Sequence, residues 1–553
     1  MNSPDRHLGC DRHEDGARVN DAVRYEADVL VLGGGPAGTW AALAAAAAGV
    51  SVVLADKGFC GSSGATASGG NNLWYLPDGP VRERSIRARQ AQAGGLTDVT
   101  WMRRVLETTW EKVNLLAEWG YPFPLDRDAT QLRASLQGPE YMRRMRRRVH
   151  RSGVRILDHH PAVELLVDGD GVVSGAAGIA RQQGQRRWEV RAGAVVVATG
   201  GCALLSGGFG TNVDTGDGLL MAAEVGAELS GMEFSTAYAL SPEWGVHTKG
   251  LMMQFATYYD ESGTPLRLAD GVPPRFAAAQ LLAEGRRVLA RLDKAPPHLR
   301  ESMRNSQPNF FLPLEKAGVN VFSDMYPIRM VYEGTVRGTG GLRVVDHACA
   351  TTAPGLFAAG DAATRELITG AISGGGSHNG AWAISSGTYA GRGAARFALP
   401  RRGAVAASLA PRGRVGIRPS GAVRPGLAPE VIDVAQQHVL PPQRTFVRTG
   451  EQLQASAAAL QDAWQDAGRH LHGSGRDLLR SRQAAALLAC ARWITAAALA
   501  RTETRGMHRR SDRPTADPSL AHRLLVGGLA EIRTRPDPVG PLLSDDSTEE
   551  LAS

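Results

Sequence analysis

Residues 27–32 (ADVLVL) form an apolar run of strand length, followed by a glycine cluster and an alanine-rich stretch over 39–48 of helical length. Residues 51–55 (SVVLA) are a second short apolar run. Strand, glycine-rich turn, helix and strand in this order predict a βαβ unit with parallel strands. From about 90 to 149 the apolar spacing is mostly helical, and strand-length runs return at 154–157, 162–167 and 194–198. Over 219–330 the pattern is mixed, with aromatic, proline-rich and helical pieces, before strands resume at 341–345 and 355–358. A Pro- and Gly-rich stretch at 399–429 reads as a linker, and 429–502 carries apolar residues at helical spacing.

The expected fold class is α/β. A Rossmann-like dinucleotide-binding domain spans 25–218 plus 331–398, with a mixed α+β capping domain inserted at 219–330. The linker at 399–429 and a helical C-terminal domain at 430–553 follow, and 1–24 is a disordered leader. The chain's 553 residues exceed what one hydrophobic core serves, so several domains are required. The 66 glycines cluster between apolar runs rather than repeating, as in turns that approach a phosphate or cofactor.

A net charge of +7 and a pI near 9.3 favour anionic partners. The densest basic run, Arg143, Arg144, Arg146, Arg147 and Arg148, has no interleaved aromatics. It reads as a solvated helix face, so no nucleic acid is expected. Cys10, Cys60, Cys202, Cys349 and Cys490 are scattered without metal-ligand spacing, so neither a metal nor a disulfide framework is expected. The first 24 residues lack an apolar segment, and no later stretch offers roughly 18 uninterrupted apolar residues. A cytoplasmic protein without direct membrane insertion is the expectation.

Gly33, Gly35 and Gly38 satisfy G-x-G-x-x-G between a predicted strand and a predicted helix, with Pro36 and Ala37 inside the turn. Gly33 serves the tight turn, Gly35 lets backbone approach a pyrophosphate, and Gly38 allows close packing of the helix whose amides face the phosphates. Asp56, followed by Lys57, ends the second strand, where a carboxylate accepts from ribose hydroxyls. These features point to a bound dinucleotide and leave FAD and NAD both open.

Three further segments resemble the fumarate reductase, succinate dehydrogenase, L-aspartate oxidase and adenylylsulfate reductase flavoprotein family. The first is the small-residue loop at 62–72, with Ser63, Gly64, Ala65, Thr66, Gly69 and Gly70. The second is the strand end Thr199-Gly200-Gly201, followed by Thr215-Gly216-Asp217-Gly218. The third is Gly360-Asp361, followed by a Gly-rich run to Gly387 that contains His378 and Asn379 before a helix expected from Gly380. The resemblance implies FAD as cofactor, with these residues around it, and amides at the start of that helix facing the flavin. A C-terminal segment with Arg505 and His508 is similar to the family's E-S-R-G-x-H stretch and reads as structural.

The chain also departs from the family. Covalent members bond the flavin to a His where this chain has Ser63, so a non-covalent FAD is implied. Tyr238 and Val336 stand where the dicarboxylate-reactive members place histidines, and 373–377 (SGGGS) offers no Arg. Arg275, opening a predicted helix after Pro274, matches the family Arg that relays a proton, and is the catalytic candidate. Arg337 and His247 are secondary polar candidates, while Tyr238, Tyr258 and Tyr259 read as packing. The expected activity is hydride transfer between flavin N5 and a small anionic substrate other than plain succinate or fumarate. The alternative is an electron-transfer subunit working with a separate iron–sulfur, ferredoxin-like partner. Ser385-Ser386-Gly387, expected as a turn, tilts toward that branch.

Overall fold

The computed structural model describes residues 22–125, 128–248, 250–266, 273–403 and 408–537. The larger sheet is built around Val23–Leu32, which pairs in parallel with Val52–Ala55 on one side and Arg186–Val197 on the other. Val52–Ala55 continues to Arg155–Leu157, also in parallel. The long strand Arg186–Val197 changes neighbours along its length. Its first half pairs with Val173–Ala180 in an antiparallel hairpin, and its last residues, Val195 to Val197, pair in parallel with Leu356–Ala358. The carboxyl ends of Val23–Leu32, Val52–Ala55, Arg186–Val197 and Leu356–Ala358 therefore meet at one edge, where α/β sheets bind ligands.

Two helices cover this sheet. Pro36–Ala47 and Gly375–Ala398 pack closely because small residues face each other, and a Cβ at Gly387 would stand 2.3 Å from the Ala37 carbonyl oxygen. Ser385, Ser386 and Gly387 are thus helix interior rather than a turn. That helix also starts five residues earlier than Gly380, so His378 and Asn379 fall in its first turns.

The insertion is a separate layer. Its four-stranded antiparallel sheet runs Tyr238–Pro242, Tyr326–Tyr332, Val288–Arg291, Thr257–Tyr259 in spatial order. Its own core includes Met253, Phe310, Phe311 and Ile328. The expected start at 219 moves later, since Asp217–Glu224 packs under the large sheet and Leu229–Ser230 pairs with Gly341–Leu342. Sequence patterning misplaces such a boundary because a core helix and a cap helix carry similar apolar spacing.

The C-terminal domain contains the helices Leu427–Val439, Gly450–His470 and Arg476–Ala500. It is not all helical, because the hairpin Arg523–Gly527 and Arg533–Asp537 joins Leu229–Ser230 in a second sheet. Within the expected linker, Ala410–Pro411 adds to the edge of the large sheet. Arg476–Ala500 is long and apolar enough to cross a membrane, and 78% of its apolar window is buried inside the fold. The sequence count missed it because arginines interrupt the apolar run. At the other terminus, Val23 and Arg24 already belong to a strand; the rest of the expected leader to residue 21 lies outside the described residues, as do Cys10 and 538–553.

Buried ion pairs tie this domain to the first. Arg501 bonds Glu233 at 2.7 Å and Glu503 at 2.9 Å, while Arg505 bonds Glu503 at 2.6 Å and donates to the Gly94 carbonyl at 2.5 Å. His508 contacts the Arg501 carbonyl at 3.0 Å, so Arg505 and His508 are structural here. Beside this lattice Glu366 is fully buried and accepts from Ser230. Burial first, then the Glu233 carboxylate, pushes its pKa up to about 7.

The stability that Glu366 contributes is complete below its ordinary value of 4.5 and is lost as pH rises through about 7. Glu366→Gln keeps the shape and removes the charge. Its melting temperature is expected to exceed the parent's at about pH 8.5 and to match it at about pH 5. Thermal melts at both values check this, and equal shifts at both would reject it.

Candidate functional site

A cavity of about 570 Å³ opens at the strand edge, between the large sheet and the inserted layer. Its floor begins with the first turn. Gly33 has φ +107, and a Cβ there would stand 2.2 Å from the Ala198 carbonyl oxygen, so the turn must be glycine. Gly38 is pressed against the Gly33 carbonyl, where a Cβ would stand at 1.8 Å, and it serves packing behind the cavity.

Asp56 accepts from the Gly34 amide at 2.5 Å, the Gly58 amide at 2.7 Å and the Ser63 hydroxyl at 2.9 Å. These bonds fold the 58–66 loop back over the turn. Lys57 is held by Asp217 at 2.6 Å and by Thr215 at 2.6 Å, so the two charged residues expected at the cofactor neutralise each other at the cavity wall. Asp361 pairs with the buried Arg365, and burial raises its pKa against the opposing pull of Arg365 and Arg337.

The opposite wall is the start of Gly375–Ala398. Gly375, Gly376 and Asn379 line the cavity there. His378 turns away, stacking on Trp74 at 4.4 Å with Nδ1 2.8 Å from the Gly374 carbonyl. Burial pushes its pKa down to about 3, so it is a neutral packing residue. Gly69 and Gly201 also sit behind the cavity surface rather than on it. A Cβ at Gly201 would stand 2.5 Å from Thr335 Oγ1.

Gly33, Gly35, Pro36, Ala37, Asp56, Lys57, Ser63, Gly64, Ala65, Thr66, Gly70, Thr199, Gly200, Asp217, Gly360, Asp361 and Asn379 all border the cavity. FAD fits what these residues present. Gly35, Gly64, Gly70, Gly375 and Gly376 all face space in which an added Cβ would meet nothing within 4 Å. A cradle of bare backbone is what a bulky dinucleotide with a flat ring needs. Thr199 Oγ1, Asp214 Oδ2 and Asn379 Oδ1 are buried there without hydrogen-bond partners, ready for ligand contacts.

The inserted layer supplies the remaining wall with Thr248, Gln254, Tyr258, Arg275, Lys294 and Gln307. Arg275 is exposed in the first turn of Pro274–Ala283, next to Tyr258, whose hydroxyl donates to the Met253 carbonyl at 3.0 Å. Burial pushes the Tyr258 pKa up to about 12, opposed by the Arg275 charge. From the large domain Arg337 reaches the same cavity, 3.5 Å from Glu333. His247 stays behind the wall and contacts Gln307 at 2.7 Å. Tyr238 bonds the Leu440 carbonyl at 3.0 Å, away from the cavity. No histidine is among the described residues that line it.

Sequence reasoning missed Gly375 and Gly376, although the glycine run was in view, because the helix was started late. It also missed Asp214, Lys294, Gln254 and Gln307, whose surroundings carry no local motif.

Residues 28–252 match the family described as FAD binding domain, and residues 436–533 match the one described as fumarate reductase flavoprotein C-term. L-aspartate oxidase of Streptomyces coelicolor is 26% identical over 572 aligned positions, covering 95% of this chain and 94% of that protein. A mutant E. coli quinol fumarate reductase FrdA superposes with a TM-score of 0.77 at 22% identity, over 94% of this chain and 99% of that one. Adenylylsulfate reductase from Archaeoglobus fulgidus gives 0.72 at 17% identity, over 95% and 97%. Cradle and matches together define an FAD-dependent oxidoreductase. The chain belongs to the fumarate reductase/succinate dehydrogenase flavoprotein family, in which fumarate reductases and aspartate oxidases both stand.

Proposed function

We propose that the enzyme exchanges a hydride between non-covalently bound FAD and a small anionic substrate other than plain succinate or fumarate, in the cavity beneath the inserted layer. One observation carries this reading: Arg275 and Lys294 from the insertion and Arg337 from the large domain converge on the cavity, with no histidine among the described lining residues. Bound there, FAD supplies the two-electron chemistry through N5.

The chain's own residues do the rest. Arg337 and Lys294 attract and orient the anion, with Gln254 and Gln307 as neutral hydrogen-bonding partners. Arg275 stands over the opening and handles the proton. The insertion excludes water while the anion is held between the two layers. Ser373, in the segment where an Arg was sought, donates to the Arg337 carbonyl at 2.8 Å and so supports Arg337 instead.

Ser63 favours non-covalent attachment, since its hydroxyl is engaged by Asp56. Precipitation of the purified protein by acid or heat is expected to leave the flavin in solution, identifiable as FAD by absorbance and mass. Flavin remaining in the pellet would reject this attachment. Anaerobic mixing with candidate anions, L-aspartate first because the full-length relative carries it in its name, should bleach the oxidised flavin with the true substrate. Succinate turnover at a comparable rate would overturn the substrate reading.

The second reading is an electron-transfer subunit with a separate iron–sulfur partner. It is favoured by Arg143, Arg147 and Arg151, exposed along Gly138–Arg151 and suited to an acidic protein surface. Full turnover by the isolated chain with oxygen or dyes would count against it.

A further inference from the structure

Asp214 is a carboxyl of the cofactor cavity that lies outside every motif discussed above. It sits in the loop between Arg186–Val197 and Asp217–Glu224, where its backbone is fixed at both ends. Its amide donates to the Thr211 carbonyl at 3.0 Å, and its carbonyl accepts from the Ala203 amide at 2.9 Å. The residue is 5% exposed and lines the cavity. Oδ1 lies over Gly200, 2.4 Å from where a Cβ would stand, and the buried Oδ2 has no partner.

The charged groups facing Asp214 come from three parts of the fold. Asp361 follows Leu356–Ala358, Asp217 opens Asp217–Glu224, and Asp56 ends the second strand. The facing cation is Lys57, already held by Asp217 at 2.6 Å. Arg365 and Arg337 lie beyond Asp361, engaged with Asp361 and Glu333. Burial first, then Asp361, raises the Asp214 carboxyl well above the usual carboxylate range, which favours its protonated form.

The protonation state decides what Asp214 can do. A carboxylate only accepts hydrogen bonds, and the phosphates of a dinucleotide present only acceptors and negative charge. A neutral carboxylic acid instead donates one strong hydrogen bond without adding repulsion.

We propose that Asp214 is a further FAD-binding residue, acting as a neutral acid that donates its O–H to an oxygen of the dinucleotide. The assignment rests on FAD occupying this cavity. Asp214 would then hold the cofactor more weakly as pH rises and its proton is lost.

The test uses full-length protein stripped of flavin and titrated with FAD, followed by flavin fluorescence, for the parent, Asp214→Asn and Asp214→Ala. Infrared difference spectra of the holoproteins accompany the titrations. The Asn variant, which still donates, is expected to bind within about threefold of the parent, and the Ala variant about tenfold or more weakly. A protonated-carboxyl stretching band should appear in the parent and vanish in the Asn variant. Absence of that band from the parent, an Ala variant binding as tightly as the parent, or a folded Asn variant binding as weakly as Ala would each overturn the assignment. The infrared arm decides the matter even if the Ala variant does not fold. A parent apoprotein that takes up no FAD would reject the cavity as the flavin site, a separate failure.

Discussion

Arg275→Ala is expected to slow turnover by about a hundredfold or more while leaving flavin content and FAD affinity unchanged. Arg275 stands in the first turn of Pro274–Ala283 on the inserted layer, exposed and bordering the cavity. Nothing in the cradle of the large domain leans on it, so its loss should not disturb cofactor binding. Arg275→Lys keeps the charge but not the planar fork and is expected to recover only part of the rate. Stopped-flow bleaching of the oxidised flavin by the identified substrate separates the two effects. If Arg275→Ala bleaches at the parent rate, another group carries the proton. If it loses flavin as well, the arginine is part of the cradle.

Gly35→Val is expected to give a folded protein almost free of flavin. Gly35 has φ −75 and ψ −173, an extended conformation open to any residue, and an added Cβ meets no protein atom within 4 Å. The substitution therefore strains nothing in the chain itself, and the branched methyls intrude only where the dinucleotide lies. Overpacking of this kind costs about 1–3 kcal/mol, a loss of roughly tenfold to hundredfold in FAD affinity. Gly38→Val is the contrast, because its Cβ would stand 1.8 Å from the Gly33 carbonyl oxygen and must disturb folding. Flavin absorbance per protein, with circular dichroism for the fold, checks both. A Gly35→Val protein that purifies yellow at the parent ratio would remove this turn from the cofactor site.

These two glycines mark how the site was legible. The cradle of the first turn is made by consecutive residues, 33 to 38, and its backbone requirements are local, so the spacing of glycines carries them directly. Asp56 is placed at the cavity for a similar reason: it follows a short buried strand whose end the apolar pattern locates. His378 shows the limit. Its position near the flavin segment was legible, yet its direction depends on Trp74, three hundred residues earlier, and on a helix that begins at Gly375 rather than Gly380. Gly201 likewise sits in the right motif and faces Thr335 instead of the cavity.

By itself, the sequence determined the α/β class, the inserted layer and the glycine turn that borders the cavity. Those features are written in short-range periodicity and contiguous motifs. Only the tertiary structure decided which charges meet at the cavity. Arg275, Lys294 and Arg337 come from a helix start, the turn after a strand and the end of a short helix on two different layers, brought together by packing of the insertion over the sheet edge. It also decided that Lys57 and Asp217 neutralise each other while Asp214 is left buried and unpaired. Charge pairing and desolvation depend on distances across the fold, and a linear pattern carries no such distances.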